Sequence, residues 1–135
     1  MKNDTRKPRI VLFDANVGNA GAPLALLAIT SLIDAAEYDI QIITKAAYPD
    51  YRTVVVERCK GALCFGVSAI LGMTIQPGLD MSAAVKAAYP SLPIIWGGWA
   101  VTTLPRVALA EPYIDYVCIG QGERTFGDFI SMLAG

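Results

Sequence analysis

Short apolar runs and helical stretches alternate along this chain from end to end. The runs are Arg9–Asp14, Ile40–Thr44, Ala62–Ser68, Leu92–Gly97 and Tyr116–Ile119. Several are apolar at consecutive positions, the pattern of strands covered on both faces. Between them, Met81, Ala84, Val85 and Ala88 fall on one helical face, as do Phe126, Phe129, Ile130 and Leu133. Leu24, Leu27 and Ala28 begin a further helix that continues through Leu32, and Thr53–Cys59 is a weaker, β-branched candidate. Pro105, two residues after a capping Thr103, opens a short helix to Ala110. Five β-α units in strict alternation predict a parallel sheet with helices on both faces and right-handed crossovers.

A chain of 135 residues accommodates one domain, 1–135, with residues 1–8 expected as a flexible tail. Five strands at this length predict a three-layer, Rossmann-like, doubly wound α/β fold with the flavodoxin-like order 2-1-3-4-5. An apolar fraction of 54% excludes intrinsic disorder. The longest apolar run, Ala22–Ile29, is far short of the ~20 residues that span a bilayer. The charged start of the chain, and an apolar stretch that ends at Asp14, do not read as a signal peptide. With three cysteines and no CxxC pair, the expectation is a cytoplasmic protein with reduced, buried thiols. Eleven basic against twelve acidic residues leave no basic field for nucleic acid. The chain contains no histidine. That excludes Ser-His-Asp and Cys-His catalysis, and any metal held by a histidine of this chain.

The loops divide into two kinds. Turns leading into strands are short and plain, such as Lys60-Gly61 and Tyr89-Pro90-Ser91. Turns leaving strands 1, 3, 4 and 5 are longer or rich in glycine and small polar residues: residues 14–21, 68–74, 97–103 and 120–123. In an open parallel sheet the ligand crevice lies at that carboxyl edge. Asp14 and Glu123 are the acids near it.

Several ligands are disfavoured by a missing group. The loop after strand one has no Ser or Thr to grip a flavin phosphate, and strand three ends on Ser68 where a receiver domain needs Asp. Neither a P-loop nor a dinucleotide fingerprint is present. What remains is Ser68-Ala69-Ile70 after strand three and Gly97-Gly98 after strand four, separated by residues 71–96. To these add Pro23-Leu24-Ala25-Leu26-Leu27, Trp99, Leu104-Pro105, Asp115-Tyr116-Val117 and Gly120-Gln121-Gly122-Glu123. This ordered set resembles the N-terminal cobalamin (vitamin B12)-binding domain of cobalamin-dependent radical S-adenosylmethionine (AdoMet) enzymes, and its S-x-L and G-G motifs in particular.

The resemblance implies a cofactor bound with its dimethylbenzimidazole tail off cobalt, in a slot beside the sheet, with the corrin over the carboxyl edge. Ser68, Ala69, Ile70, Gly97 and Gly98 would border the slot, with the Ser68 hydroxyl offered to the tail. Gly120, Gln121, Gly122 and Glu123 would line its far side. Asn16, Val17 and Leu71 would face the lower side of cobalt, and Trp99 would pack on the corrin. The wider family often carries D-x-H-x-x-G, whose histidine binds cobalt; this chain cannot make that bond. No residue is expected to be catalytic by itself.

Methyl transfer or a related radical reaction would need a radical AdoMet domain in cis or in trans. That domain would hold the [4Fe-4S] cluster and S-adenosylmethionine, because Cys59, Cys64 and Cys118 do not form a cluster motif. Two other readings stay open: a degenerate domain serving as a protein-interaction module, and a binder of a nucleotide-like small ligand in the same crevice.

Overall fold

The computed structural model describes residues 7–14, 24–45, 47–69, 75–98, 106, 110–119 and 123–135. Five strands, β1 (Arg9–Asp14), β2 (Asp39–Thr44), β3 (Cys64–Ser68), β4 (Ile94–Gly97) and β5 (Tyr116–Val117), form one sheet. All neighbours are parallel, and the order is β2-β1-β3-β4-β5. Helices α1 (Leu24–Thr30), α2 (Tyr51–Arg58), α3 (Ile75–Ala88) and α4 (Glu123–Ala134) flank it. The expected doubly wound five-stranded sheet is therefore the fold of this chain.

Alternation along each strand divides the core in two. Val11, Phe13, Phe65, Val67, Ile94 and Trp96 point to one face, where Val55 of α2 and Met81 and Val85 of α3 cover them. Ile10, Leu12, Cys64 and Ile95 point to the other, beneath Leu26 of α1 and Phe126 and Ile130 of α4. Phe13, Phe65 and Phe126 are all nearly inaccessible to solvent. Burial of an aromatic side chain of that size is worth about 2–3 kcal/mol, so the two layers supply most of the driving force.

Polar anchors fix the geometry around these layers. The Trp96 indole N–H donates to Ser82 Oγ at 3.0 Å inside the α3 interface. At the amino end of β4, Asp115 accepts both the Ile94 N–H at 2.9 Å and the Lys86 ammonium at 2.6 Å. Arg9 Nε donates to Asp39 at 3.0 Å across β1 and β2, and Gln41 donates to the same carboxylate. The Asp39 N–H in turn donates to the Pro8 carbonyl at 2.9 Å.

The elements differ in detail from the sequence expectation. Leu92 is buried but precedes β4. Pro93 has no N–H to enter the ladder, although its carbonyl accepts the Phe65 N–H at 3.0 Å. β5 is two residues long, and the Cys118 N–H continues its ladder to the Trp96 carbonyl at 2.8 Å. Helix α1 stops at Thr30, whose hydroxyl bonds back to the carbonyls of Leu26 and Leu27. Among its described side chains Leu26 and Ile29, with Ile33 past its end, pack inward, whereas Leu27 and Leu32 are exposed. Ala84 and Ala88 also face solvent; Gly78, Met81, Ser82 and Val85 form the buried stripe of α3. The proposed helix from Pro105 lies mostly outside the described residues; within it, Ala110 N–H bonds to the Arg106 carbonyl at 3.1 Å. Among the described residues no helix is long and apolar enough to cross a membrane.

Candidate functional site

The carboxyl ends of the strands come into one register. Thr44 pairs with Asp14, Asp14 with Ser68, and Ser68 with Gly97. Trp96 pairs with Val117, which places Cys118 beside Gly97. The alternation set by Leu12 and Ile95 puts all of these on the α1/α4 face of the sheet. The rim of that face is thus a row of small or polar residues: Thr44, Asp14, Ser68, Gly97, Cys118.

A closed layer lies one step deeper. An added β-carbon at Gly66 would stand 2.5 Å from Leu12 Cδ2 and 3.7 Å from Ile95 Cγ2. Leu12 therefore leans across the glycine and floors the row. Leu26 and Phe126, both almost fully buried, face the sheet from the two covering helices. Small residues above an apolar floor, between two helices, make a geometry suited to a flat, partly apolar group inserted from the carboxyl edge.

Gly98 and Gly97 serve different ends. Gly98 has φ +99, and a β-carbon there would sit 2.5 Å from the Ala69 carbonyl oxygen and 3.2 Å from its nitrogen. Glycine is demanded at 98 by the backbone alone. At Gly97 an added β-carbon would meet, among the described residues, Cys118 Cβ and O at an ordinary 3.9 Å. The Ala69 N–H donates to the Gly97 carbonyl at 3.1 Å, carrying the β3–β4 pairing one residue past β3 and tying the two motifs together. The Ser68 side chain is half-buried, and among the described residues nothing hydrogen-bonds its hydroxyl.

Of the sequence-predicted site residues, Ser68, Ala69, Gly97 and Gly98 come together here. Asn16, Val17, Ile70, Leu71, Trp99, Gly120, Gln121 and Gly122 lie outside the described residues. Glu123 opens α4. Cys118 is a buried thiol of the core, as expected from the sequence, and its place beside Gly97 follows from the β4–β5 pairing. Counting alternation outward from Tyr116 would have put it on the same face as Gly97. Cys59 and Cys64 are elsewhere, at the end of α2 and the start of β3, and burial pushes each thiol up to about 12. Among the described residues no group of His, Cys, Asp and Glu could hold a metal ion. A separate groove of about 350 Å³ lies between Leu32, Asp34 and Tyr38 on one side and Arg124, Asp128 and Ser131 of α4 on the other; no residue of the row lines it.

The chain is thus a doubly wound parallel domain of the open α/β class, with small and polar residues at the carboxyl ends of its strands. More narrowly, the B12 binding domain family matches residues 10–130, and the chain belongs to that family. No curated protein matches it. Among solved structures it is similar to the radical S-adenosylmethionine methyltransferase TsrM from Kitasatospora setae, with a TM-score of 0.78 and 18% identity. That alignment covers 95% of this chain and 26% of TsrM. The cobalamin-dependent S-adenosylmethionine radical enzyme OxsB, solved with aqua-cobalamin, gives 0.69 and 19% identity, covering 95% of this chain and 19% of OxsB. A signal receiver domain from Pseudomonas fluorescens gives 0.60 and 17%, covering 94% of this chain and 95% of its own. These likenesses show a shared fold. The chain thus spans far less than two-thirds of TsrM and OxsB.

Proposed function

We propose that this chain is a cobalamin-binding module that presents cobalt to a radical AdoMet catalytic domain, in cis or in trans, for methyl transfer or related radical chemistry. The observation that carries the reading is the row Ser68–Gly97–Cys118 on the α1/α4 face, in a chain of the B12 binding domain family. The residues present fit the cofactor's nucleotide arm. Gly97 offers no side chain, Ser68 offers a hydroxyl without a partner among the described residues, and Leu12 supplies an apolar floor.

Each residue then has a physical task. The Ser68 hydroxyl would donate to the ring nitrogen of the detached base, and Leu26 and Phe126 would exclude water from the base's faces. Ala69 and Gly98 would hold the β3 and β4 ends at fixed spacing, so that the opening keeps its width. When bound, cobalamin supplies a cobalt that accepts and gives up a methyl group. No histidine of this chain is available to bind it from below, so the base-off state is expected without a protein imidazole.

The receiver-like fold does not favour a phosphorylation switch. The residue that ends β3 is Ser68, and a receiver requires Asp there to accept the phosphoryl group.

Hydroxocobalamin titrated into the purified chain should give a base-off visible spectrum. Bound Co(II) should show no electron paramagnetic coupling to an axial nitrogen. At ~100 times its dissociation constant the cofactor should add about 2.7 kcal/mol to unfolding stability. Absence of binding at high micromolar protein would overturn the reading.

A further inference from the structure

We propose that β2 is a homodimerisation edge, along which a second copy of this chain pairs antiparallel about Ile42 and joins two five-stranded sheets into one. β2 closes one side of the sheet, and β1 is its one strand neighbour among the described residues. The Asp39 N–H donates to the Pro8 carbonyl on the β1 side. Backbone direction alternates along a strand. Asp39, Gln41 and Ile43 therefore turn their amides to β1, and Ile40, Ile42 and Thr44 turn theirs outward. The Thr44 carbonyl accepts the Tyr48 N–H at 3.1 Å, while the N–H and C=O of Ile40 and Ile42 and the N–H of Thr44 face the open edge. Such a row templates a further strand unless proline, a bulge or short length blunts it. β2 has six residues, no proline, and an unbroken one-to-one register with β1 from Asp39 to Thr44.

The charges at the two ends of β2 select a second copy as the occupant. Asp39 opens the strand and is more than a third exposed; Lys45 follows the strand directly and is exposed. Counted by alternation, both lie on the face that Ile43 shares. Antiparallel pairing about Ile42 sets Asp39 opposite Lys45 of the other copy, once at each end. A parallel arrangement would set like charges side by side. In the antiparallel register Ile42 meets its own counterpart, and the two exchange both main-chain bonds. Each Thr44 N–H then reaches the Ile40 carbonyl of the other copy. Ile40 with Thr44 and Gln41 with Ile43 are the remaining cross-strand pairs, and no like charges are opposed. The assembly stops at two copies, because the far edge of each sheet is β5, only two residues long. It also turns the two carboxyl rims to opposite ends of the joined sheet, so neither copy covers the row at Ser68 and Gly97 of the other.

Sedimentation equilibrium and thermal melts are run on the parent, Lys45→Glu and Ile42→Pro. The parent should dimerise at micromolar protein, the strength that a short two-strand contact implies. Lys45→Glu changes an exposed side chain, so it should melt with the parent and weaken dimerisation about tenfold. Ile42→Pro removes an outward N–H and no bond to β1, so it should fold and stay monomeric. Two further variants read the register under a mild oxidant. Ile42→Cys should cross-link to its counterpart, because hydrogen-bonded antiparallel neighbours lie about 5.5 Å apart at Cα, within disulfide reach. Gln41→Cys, displaced by two residues from its counterpart, should not. The native cysteines are buried and give the background. A parent that stays monomeric at high micromolar protein overturns the proposal. So does unaltered dimerisation in folded Lys45→Glu, or cross-linking through position 41 in place of 42.

Discussion

Gly98 and Ala69 approach so closely that a β-carbon on the glycine would stand 2.5 Å from the Ala69 carbonyl oxygen. The contact joins the residue after β3 to the residue after β4, and it is backbone against backbone, with no flexible group to give way. With φ at +99 the conformation is also one that L side chains rarely adopt. Gly98→Ala should therefore lower stability by about 1–3 kcal/mol through backbone strain alone. Gly97→Ala, whose β-carbon meets Cys118 at 3.9 Å, should stay within about 0.5 kcal/mol of the parent. Urea unfolding of the two variants checks this; equal midpoints would refute the distinction.

Ser68→Ala isolates the hydroxyl at the rim. Among the described residues nothing hydrogen-bonds it, so its removal should leave unfolding unchanged. Cobalamin affinity should fall by about 1 kcal/mol, the net worth of one hydrogen bond, or roughly fivefold. Titration of both proteins with hydroxocobalamin measures the difference. A stability loss with unaltered affinity would assign Ser68 to the fold and not to the ligand.

Two helical glycines should respond in opposite directions. At Gly78 of α3, a β-carbon would lie 2.8 Å from Trp96 Cη2 and 3.0 Å from Val67 Cγ1. Gly78→Ala gains ~1 kcal/mol of helix propensity but forces the indole from its place, at ~1–3 kcal/mol. Trp96 cannot move freely, because its N–H is bonded to Ser82. A net loss and a shifted tryptophan emission are expected. Gly127 of α4 has, among the described residues, nothing within 4 Å of an added β-carbon. Gly127→Ala should raise stability by up to ~1 kcal/mol. Paired thermal melts decide the matter.

The fold was legible because its signals are local. Runs such as Ile10–Phe13 are apolar on both faces, which only a sheet covered on both sides requires. The strand ends at Ser68 and Gly97 were legible for the same reason: an apolar run stops where the edge begins. The helical faces were harder. Along α1 and just past it, leucines occur at 24, 26, 27 and 32, so a 3.6-residue period can be drawn through more than one stripe. The packing against α4 selects Leu26 and Ile33 and leaves Leu27 outside. The placing of Cys118 beside Gly97 was not legible for a different cause: it follows from register with a neighbouring strand, and pairing between distant segments is not written in either segment alone. The backbone demand at Gly98 was likewise not legible, because it comes from the close approach of Ala69 on the neighbouring strand end.

The thiols of Cys59 and Cys64 should be inert in the folded protein. Both are almost wholly buried, and desolvation pushes each up to about 12, so the thiolate is scarce at neutral pH. A disulfide reagent such as dithionitrobenzoate at pH 8 should modify them only after urea is added. The linkage has a definite sign. An acid whose folded pKa lies above its unfolded value holds its proton more tightly when folded. The stabilisation is whole below pH 9 and is lost as pH rises towards 12. Rapid labelling of the native state would contradict the buried placement.

The ion pair at the other end of the sheet carries the acid dependence. Arg9 donates to Asp39 at 3.0 Å, and the Gln41 amide donates to the same oxygen at 3.0 Å. These bonds, Arg9 first, hold the Asp39 carboxyl below its usual value, although burial opposes them. A carboxylate whose folded pKa is depressed stabilises the fold above its unfolded pKa and loses that contribution as pH falls through the folded one. The pair is more than a third exposed on both sides, so the effect is small and screened by salt. Arg9 also donates to the Arg58 carbonyl at 3.3 Å, and Arg58 bonds to Gln41, so the carboxylate anchors a strap from β2 through β1 to α2. Asp39→Asn keeps the shape and removes the charge. The stability gap between parent and variant should therefore be present at pH 6 and narrow progressively as pH falls below 4. High salt should shrink it at pH 6. Urea midpoints measured across that range test the sign directly: a gap that widened on acidification would show that the charge on Asp39 opposes folding.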